Sequence, residues 1–114
     1  MEGTVKLVRD RIPELMKADG ESPQTRIAQG EEYPALLRLK LLEEVQEFLD
    51  SGDAGELVDV IEVVHALARD KGVEPEKLEQ LRVAKQTDRG GFTTGTVLVV
   101  PSDEPEPEPA PVTG

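Results

Sequence analysis

The middle of the chain repeats apolar residues every three or four positions, the spacing that places side chains on one face of a helix. The pattern predicts a long helix over about residues 31–50 and a second over about residues 54–71. Between them, the letters "SGD" at residues 51–53 break the pattern. A break this short predicts that the two helices lie side by side and antiparallel. Gly72 is suited to end the second helix.

Two shorter helices are predicted on either side of this pair. The first would begin with Asp10 as its cap, carry Pro13 in its first turn and end at Gly20. The other would open at Pro75 and end before Gly90–Gly91. The pattern therefore predicts about four helices.

One β-prone segment stands outside the helical pattern. "FTTGTVLVV", residues 92–100, is rich in β-branched side chains and could pair with "TRIA", residues 25–28, as a small ribbon. The whole pattern indicates an all-α fold, an antiparallel helical bundle with this ribbon as an addition.

The last fourteen residues differ from the rest in composition. "PSDEPEPEPAPVTG" holds five of the nine prolines and four acids, with no Lys or Arg. Such a segment cannot bury enough apolar surface to order itself. We expect one helical domain over residues 1–100 and a disordered acidic tail over residues 101–114.

Acidic residues interrupt the apolar stripe of both long helices. At about 100° per residue, Glu44 falls at the edge of the first stripe and Glu56 in the middle of the second. Glu47 and Asp59 follow three residues later, at the margins of the same faces. Unpaired carboxylates that converge in a half-buried patch are costly, and a divalent cation removes that cost. Oxygen ligands select Mg²⁺ or Mn²⁺ over metals that prefer thiolates.

The same acids also have ordinary structural interpretations. Asp53 and Glu56 could form a capping box at the start of the second long helix. Glu44 could pair with Lys40, one turn earlier. The spacing alone leaves a metal site and this structural account equally open.

The remaining titratable residues of this region are not expected to bind metal. Glu43 and Glu62 are expected to face solvent, as most acids on helices do. His65, the single histidine, is expected to pack or to face solvent rather than to bind metal. There are no cysteines, which excludes disulfides and thiolate metal sites.

Composition and charge narrow the class of protein. The formal net charge is -11, and subtracting the four acids of the tail leaves -7 on residues 1–100, which argues against a surface for a nucleic-acid polymer. No stretch approaches a membrane span, and "MEGTVKLVRDR" at the start does not have the pattern of a signal peptide. We therefore expect a cytoplasmic protein without a membrane partner.

The two acid pairs carry a resemblance to a known family. Glu44-x-x-Glu47 followed by Glu56-x-x-Asp59 resembles the ExxE…ExxD signature of the MazG-like nucleotide pyrophosphohydrolases, the all-α NTP pyrophosphatase superfamily. The flanking stretches "KLVRDRIPELM", "LKLLEEVQEF", "ELVDVIEVVHAL" and "KQTDRGGF" are similar to its phosphoribosyl-ATP pyrophosphohydrolase-like, house-cleaning branch. The resemblance covers about residues 5–98.

This resemblance implies a Mg²⁺-dependent hydrolase, with Mn²⁺ as an alternative ion. Its substrate would be a noncanonical or excess nucleoside triphosphate, cut between the α and β phosphates to give the monophosphate and pyrophosphate. The motif match implies that the metal ligands and catalytic carboxylates are Glu44, Glu47, Glu56 and Asp59. One of the four could instead orient the attacking water as general base.

Cationic side chains should balance the remaining charge of a triphosphate. Lys40 lies on the same helix face as Glu44, one turn earlier. The other candidates lie in "KLVRDR" and "KQTDRGGF", and they are Lys6, Arg9, Arg11, Lys85 and Arg89. Solvent-exposed surface is the ordinary interpretation for Arg9 and Arg11, and a helix end is the ordinary interpretation for "RGG".

Two other functions remain open. Hydrolysis of phosphoribosyl-ATP is less favoured, because only eight residues, Phe48 to Gly55, separate the two acid pairs. This spacing is shorter than in the better-studied MazG and phosphoribosyl-ATP enzymes. A helical protein–protein interaction module without turnover would keep the acids as caps and surface residues.

Self-association is also expected, as a homodimer or homotetramer. Leu39 and Leu42 lie away from the main apolar stripe of the first long helix and indicate a second packed face. A partner subunit or the N-terminal helix of the same chain could cover it. The resemblance also implies a dimer or a tetramer.

Overall fold

A computed structural model describes residues 3–102. Four helices are present in this range: α1 Ile12–Ala18, α2 Glu32–Ser51, α3 Ala54–Asp70 and α4 Pro75–Arg89. The described residues fall into two compact units, which are divided between Leu81 and Arg82. The prediction of an all-helical fold is confirmed, whereas residues 103–114, most of the predicted acidic tail, lie outside the described part.

The α2–α3 hairpin dominates the first unit. Gly52 adopts a left-handed conformation, with φ 72°, and its N–H donates to the carbonyl of Phe48. This is the ordinary way to end a helix with glycine. Asp53 is extended, so the chain reverses within two residues and α3 packs back along α2. The antiparallel pair thus follows from the break that the sequence shows.

The core of this hairpin is thin. Among residues 3–102 the buried apolar side chains are Leu37 on α2 and Val63 on α3. Glu44 is buried with them, at 6% exposure. Most other aliphatic side chains of the two helices are half-buried or exposed. The hairpin by itself therefore supplies little of the apolar burial on which a domain of this size depends.

The start of α1 differs from the prediction. Arg11, not Asp10, is the N-cap residue, and no side chain caps the helix. Asp10 comes one residue too early, because the chain enters the helix through a turn in which the N–H of Ile12 donates to the carbonyl of Arg9. Pro13 lies in the first turn as expected, and Gly20 has a positive φ after the helix.

The second unit contains the end of α4 and the segment predicted as a ribbon strand. No strand forms at residues 92–100, at residues 25–28 or elsewhere in residues 3–102, so the predicted ribbon is wrong for the described chain. Phe92 and Leu98 are more than 80% exposed, and Ile27 is 79% exposed. An isolated two-stranded ribbon is only marginally stable in water unless it packs against another element, and these exposed side chains do not provide such packing.

In residues 3–102, every helix is too short or too polar to cross a membrane.

Candidate metal centre

Two groups of carboxylates meet on one side of the α2–α3 hairpin. One oxygen from each of Glu44, Glu56 and Asp59 lies within 4.8 Å of the other two. A second group of the same kind consists of Glu43, Glu44 and Glu47. Glu44 belongs to both groups, which joins all five residues into one acidic cluster. Between residues 3 and 102, these are the groups of side chains whose geometry could hold a metal ion.

The helical repeat explains why the cluster forms. Residues three apart on a helix share a face, so Glu44 with Glu47 and Glu56 with Asp59 each present two carboxylates to the same side. The two-residue reversal at Gly52–Asp53 keeps the helices antiparallel and adjacent along this length. The structure therefore brings together all four carboxylates of the two spaced pairs and adds a fifth, Glu43.

Glu44 is the most unusual member of the cluster. Its Oε1 atom lies 3.2 Å from Nζ of Lys40, while its Oε2 atom is buried without a hydrogen-bond partner. A buried charged oxygen with no partner costs several times a hydrogen bond, and such groups in native proteins call for an explanation. A cation seated among Glu44, Glu56 and Asp59 would give Oε2 a partner. The residues present thus fit a hard divalent cation.

The ordinary structural interpretation holds only in part. The predicted Lys40–Glu44 pair is present, but it engages one oxygen of the carboxylate. The capping box of Asp53 and Glu56 does not form. Asp53 makes no side-chain cap, and its N–H donates to the hydroxyl of Ser51. The position of Glu56 in the cluster therefore does not come from capping.

Glu47 shows how strongly the carboxylates affect one another. Its pKa is raised above the ordinary value for a glutamate, first because a protonated Glu47 could donate a hydrogen bond to the carboxylate of Glu44 and then by loss of solvation. The negative charges of Glu44, Glu56 and Glu43 raise the pKa of Glu47 further. This is the direction expected where like charges crowd together without a metal ion.

Glu43 was expected to face solvent, and this expectation is wrong. It is half-buried, and its carboxylate lies 2.6 Å from Nζ of Lys6 and 3.5 Å from Nζ of Lys40. The hydrogen bond from Lys6 is the main reason that the pKa of Glu43 is lowered. The same contact raises the pKa of Lys6. The spacing of three residues between Lys40 and Glu43 could have predicted the Lys40–Glu43 contact but not the contact with Lys6. Glu62 is exposed, as expected.

The cations of the N-terminal segment divide into two groups. Lys6 reaches Glu43 on α2, and Arg9 reaches Asp59 on α3, with Nη2 of Arg9 2.6 Å from Oδ1 of Asp59. Arg11 instead pairs with Glu14 of its own helix and is exposed. The first two cations therefore contact the acidic cluster, while Arg11 does not.

The remaining predicted site residues lie elsewhere or take no part in the cluster. Lys85 and Arg89 belong to the second unit, where both are exposed and Arg89 lies 3.7 Å from Asp88. His65 is half-buried on α3 and belongs to neither carboxylate group.

A small groove lies beside the cluster in the first unit. Its charged residues are Lys6, Lys40 and Glu43, which connect it to the carboxylates. Its apolar lining comes from the N-terminal segment and from α2, namely Val5, Leu7, Leu36 and Leu39. Leu39, predicted to form a second packed face, is thus a wall of this groove and is still 62% exposed.

Comparison with known proteins adds little. No protein-family model matches the chain, and no solved structure does either. A protein of Mycolicibacterium smegmatis, described as uncharacterized, is 51% identical over 51 residues. The match covers 43% of this chain and 52% of that protein, so the chain spans about half the length of the relative that it matches.

Proposed function

We propose that the acidic cluster binds a divalent cation and that the protein is a nucleotide pyrophosphohydrolase of the MazG-like kind. It would cleave a noncanonical nucleoside triphosphate between the α and β phosphates, giving the monophosphate and pyrophosphate. The observation that carries the proposal is the buried, unpartnered Oε2 of Glu44, a residue that belongs to both carboxylate groups. The resemblance of the two motifs and their flanks supplies the reaction.

The choice of cation follows from the ligand atoms. Glu44, Glu47, Glu56 and Asp59 would hold it, all through carboxylate oxygens. Such ligands suit Mg²⁺, which binds a few carboxylates together with substrate phosphates, and they also accept Mn²⁺. When bound, the ion would neutralise phosphate charge and lower the pKa of a water molecule.

The chain's own cations would bind the triphosphate. Lys40 is held against Glu43 and Glu44 with its side chain only 17% exposed, so its charge is fixed at the inner edge of the cluster. Lys6 and Arg9 lie further out, with side chains about half exposed. Fixed positive charges beside the reacting phosphates are the main way in which proteins stabilise the charge that develops in phosphoryl transfer.

We also propose that the protein is a homodimer or a homotetramer. An apolar face, defined as Leu42 and Leu49 on α2 with Leu57 and Ile61 on α3, is between 41% and 66% exposed. In an antiparallel pair, these helical positions fall on the side of the hairpin opposite the carboxylates. Four large aliphatic side chains grouped in this way are typical of a packed interface, and a second hairpin would complete the thin core.

The enzymatic proposal is tested by pyrophosphate release with Mg²⁺ from a panel of canonical and modified nucleoside triphosphates. Glu56→Gln should reduce the best rate about 100-fold or more, because it removes one charged ligand of the cluster. Glu62→Gln is the matched control, since Glu62 lies on the same helix but is exposed and outside the cluster. It should retain the wild-type rate.

Two results would count against the enzyme. One is the absence of turnover for every nucleotide in the panel. The other is an equal loss of rate in both variants, with circular dichroism showing that both keep their helices. Either result would favour the interaction module, in which the acids have no chemical role.

A further inference from the structure

The segment before α1 lies across the acidic cluster rather than away from it. Residues 3–9 have no regular secondary structure, and Asp10 and Arg11 form the turn into α1. Within this segment, Lys6 contacts Glu43 of α2 and Arg9 contacts Asp59 of α3. Three residues of extended chain span about 10 Å, so one short stretch reaches both helices of the hairpin. We call residues 3–11 the cationic strap.

Few other contacts hold the strap in place. Leu7 is its one half-buried residue, and Val5 and Val8 are more than 40% exposed. From residue 3 to residue 8, the described chain shows no hydrogen bond between backbone groups. The two ion pairs are themselves partly exposed, and such pairs contribute about 1 kcal/mol or less. The strap is therefore attached by contacts that a competing charge can replace.

Arg9 holds one oxygen of a carboxylate that a cation in the cluster would use. Oδ1 of Asp59 accepts a hydrogen bond from Arg9 at 2.6 Å, and the same carboxylate lies within 4.8 Å of oxygens of Glu44 and Glu56. The guanidinium thus serves as a counter-ion at the edge of the cluster. It leaves the inner oxygen, Oε2 of Glu44, without a partner.

Formal charges point the same way. The cluster holds five carboxylates, and the cations in contact with them are Lys6, Arg9 and Lys40. Three positive charges against five negative leave an excess of two, which attracts a divalent cation to the cluster. A metal ion that bound Asp59 would compete with Arg9 for the same carboxylate. A triphosphate that followed the ion would bring negative charge of its own, and Arg9 would be the nearest cation released to balance it.

We propose that the strap exchanges partners: a divalent cation entering the cluster displaces Arg9 from Asp59, and the freed strap then closes over the phosphates of the nucleotide. This inference rests on the proposed function, because it needs a metal ion and a phosphate ligand at the same site. It assigns Arg9 two successive roles, first as the counter-ion of a carboxylate and then as a ligand of a phosphate group.

The chain offers a direct reporter of strap movement, because it contains no tryptophan. Val8→Trp places a single indole on the strap at a position that is 41% exposed, between Lys6 and Arg9. Fluorescence anisotropy of this residue is measured first without metal, then with Mg²⁺, and then with Mg²⁺ and a non-hydrolysable nucleoside triphosphate. Calorimetry on the same samples records Mg²⁺ binding independently.

The exchange predicts a specific sequence of changes. Anisotropy should fall when Mg²⁺ binds and rise again when the nucleotide is added. In the Arg9→Gln background, anisotropy should be low before any metal is added, and Mg²⁺ should bind up to about fivefold more tightly because its competitor is gone. Arg38→Gln is the matched control: it removes the same charge from an exposed position on the far side of α2 and should keep the wild-type response.

The outcomes separate the two proposals. Binding of Mg²⁺ without any change in anisotropy would overturn the strap exchange and leave the metal site intact. An equal gain in Mg²⁺ affinity from Arg9→Gln and Arg38→Gln would mean that Arg9 acts only through the net charge of the protein and not through its contact with Asp59. This result would also overturn the exchange. No binding of Mg²⁺ to any of these proteins would overturn the exchange and the proposed function together.

Discussion

The two sides of the α2–α3 hairpin differ in what covers them. On one side, the acidic cluster is covered by charged side chains of the same chain, with Lys6, Arg9 and Lys40 against its carboxylates. On the other side, the side chains of the apolar face remain between 41% and 66% exposed. Both sides flank the same thin core of Leu37 and Val63.

This difference shows how a small hairpin can need two kinds of partner. The acidic cluster has more negative charge than its own cations balance, and a buried oxygen of Glu44 has no partner. The apolar face instead exposes large aliphatic side chains to water, which is unfavourable unless a partner covers them. We propose that a divalent cation completes the first side and that a second copy of the chain completes the other.

The largest expected effect is on the apolar face. Leu42→Lys combined with Ile61→Lys would place two ammonium groups in the proposed interface, where burying a charge is prohibitively costly. Light scattering after size-exclusion chromatography should show a dimer or a tetramer for the wild type and loss of that species in the variant. Leu98→Lys is the control, because Leu98 is equally large and 88% exposed but lies in the second unit. A wild-type mass equal to that of a single 12.4 kDa chain would refute the proposed assembly.

The next effect concerns the cation that the chain supplies to its own cluster. Lys40→Met leaves the buried carboxylate of Glu44 without any positive partner, and removing one member of a largely buried pair is strongly destabilising. We expect the free energy of unfolding in urea, without metal, to fall by about 2 kcal/mol. Glu43 keeps Lys6, so the loss should trace to Glu44. The double variant Lys40→Met/Glu44→Gln should recover most of the stability, and a simple sum of the two single effects would argue against their coupling.

A smaller change in the opposite direction is expected from Glu44→Gln. The amide removes one negative charge from the cluster, and its NH₂ group can donate to a neighbouring carboxylate. Unlike Lys40→Met, this change leaves no charge unpaired, because Lys40 keeps Glu43 as its partner. The metal-free protein should gain about 1 kcal/mol, seen as a melting temperature about 4–8 °C higher. Mg²⁺ should raise the melting temperature of the wild type but not that of the variant. Destabilisation of the metal-free variant would mean that the carboxylate serves the fold rather than a ligand.

The sequence predicted the hairpin well because its signals are local. Periodic apolar residues and the glycine at position 52 place α2 and α3 within a residue or two of their observed bounds. The position of Glu44 in the apolar stripe also indicated its burial. Spacing of three residues on adjacent helices was enough to predict that Glu44, Glu47, Glu56 and Asp59 could meet.

The sequence did not predict how the N-terminal segment pairs with the carboxylates. Lys6–Glu43 and Arg9–Asp59 join an irregular segment to two different helices, and no periodicity relates residues so far apart in the chain. Glu43 was misplaced for the same reason, since its main partner comes from outside its helix. The predicted ribbon failed where β propensity at residues 92–100 was not supported by any packed face.

Equilibrium binding of Mn²⁺, followed by the electron paramagnetic resonance signal of the free ion, tests the central claim most directly. The wild type and Glu62→Gln should bind Mn²⁺ in the acidic cluster, and Mg²⁺ should compete for the same sites. Glu44→Gln should lose that binding while its circular dichroism spectrum remains helical. Equal binding by all three proteins, or by none, would contradict the claim that the cluster around Glu44 is a metal site.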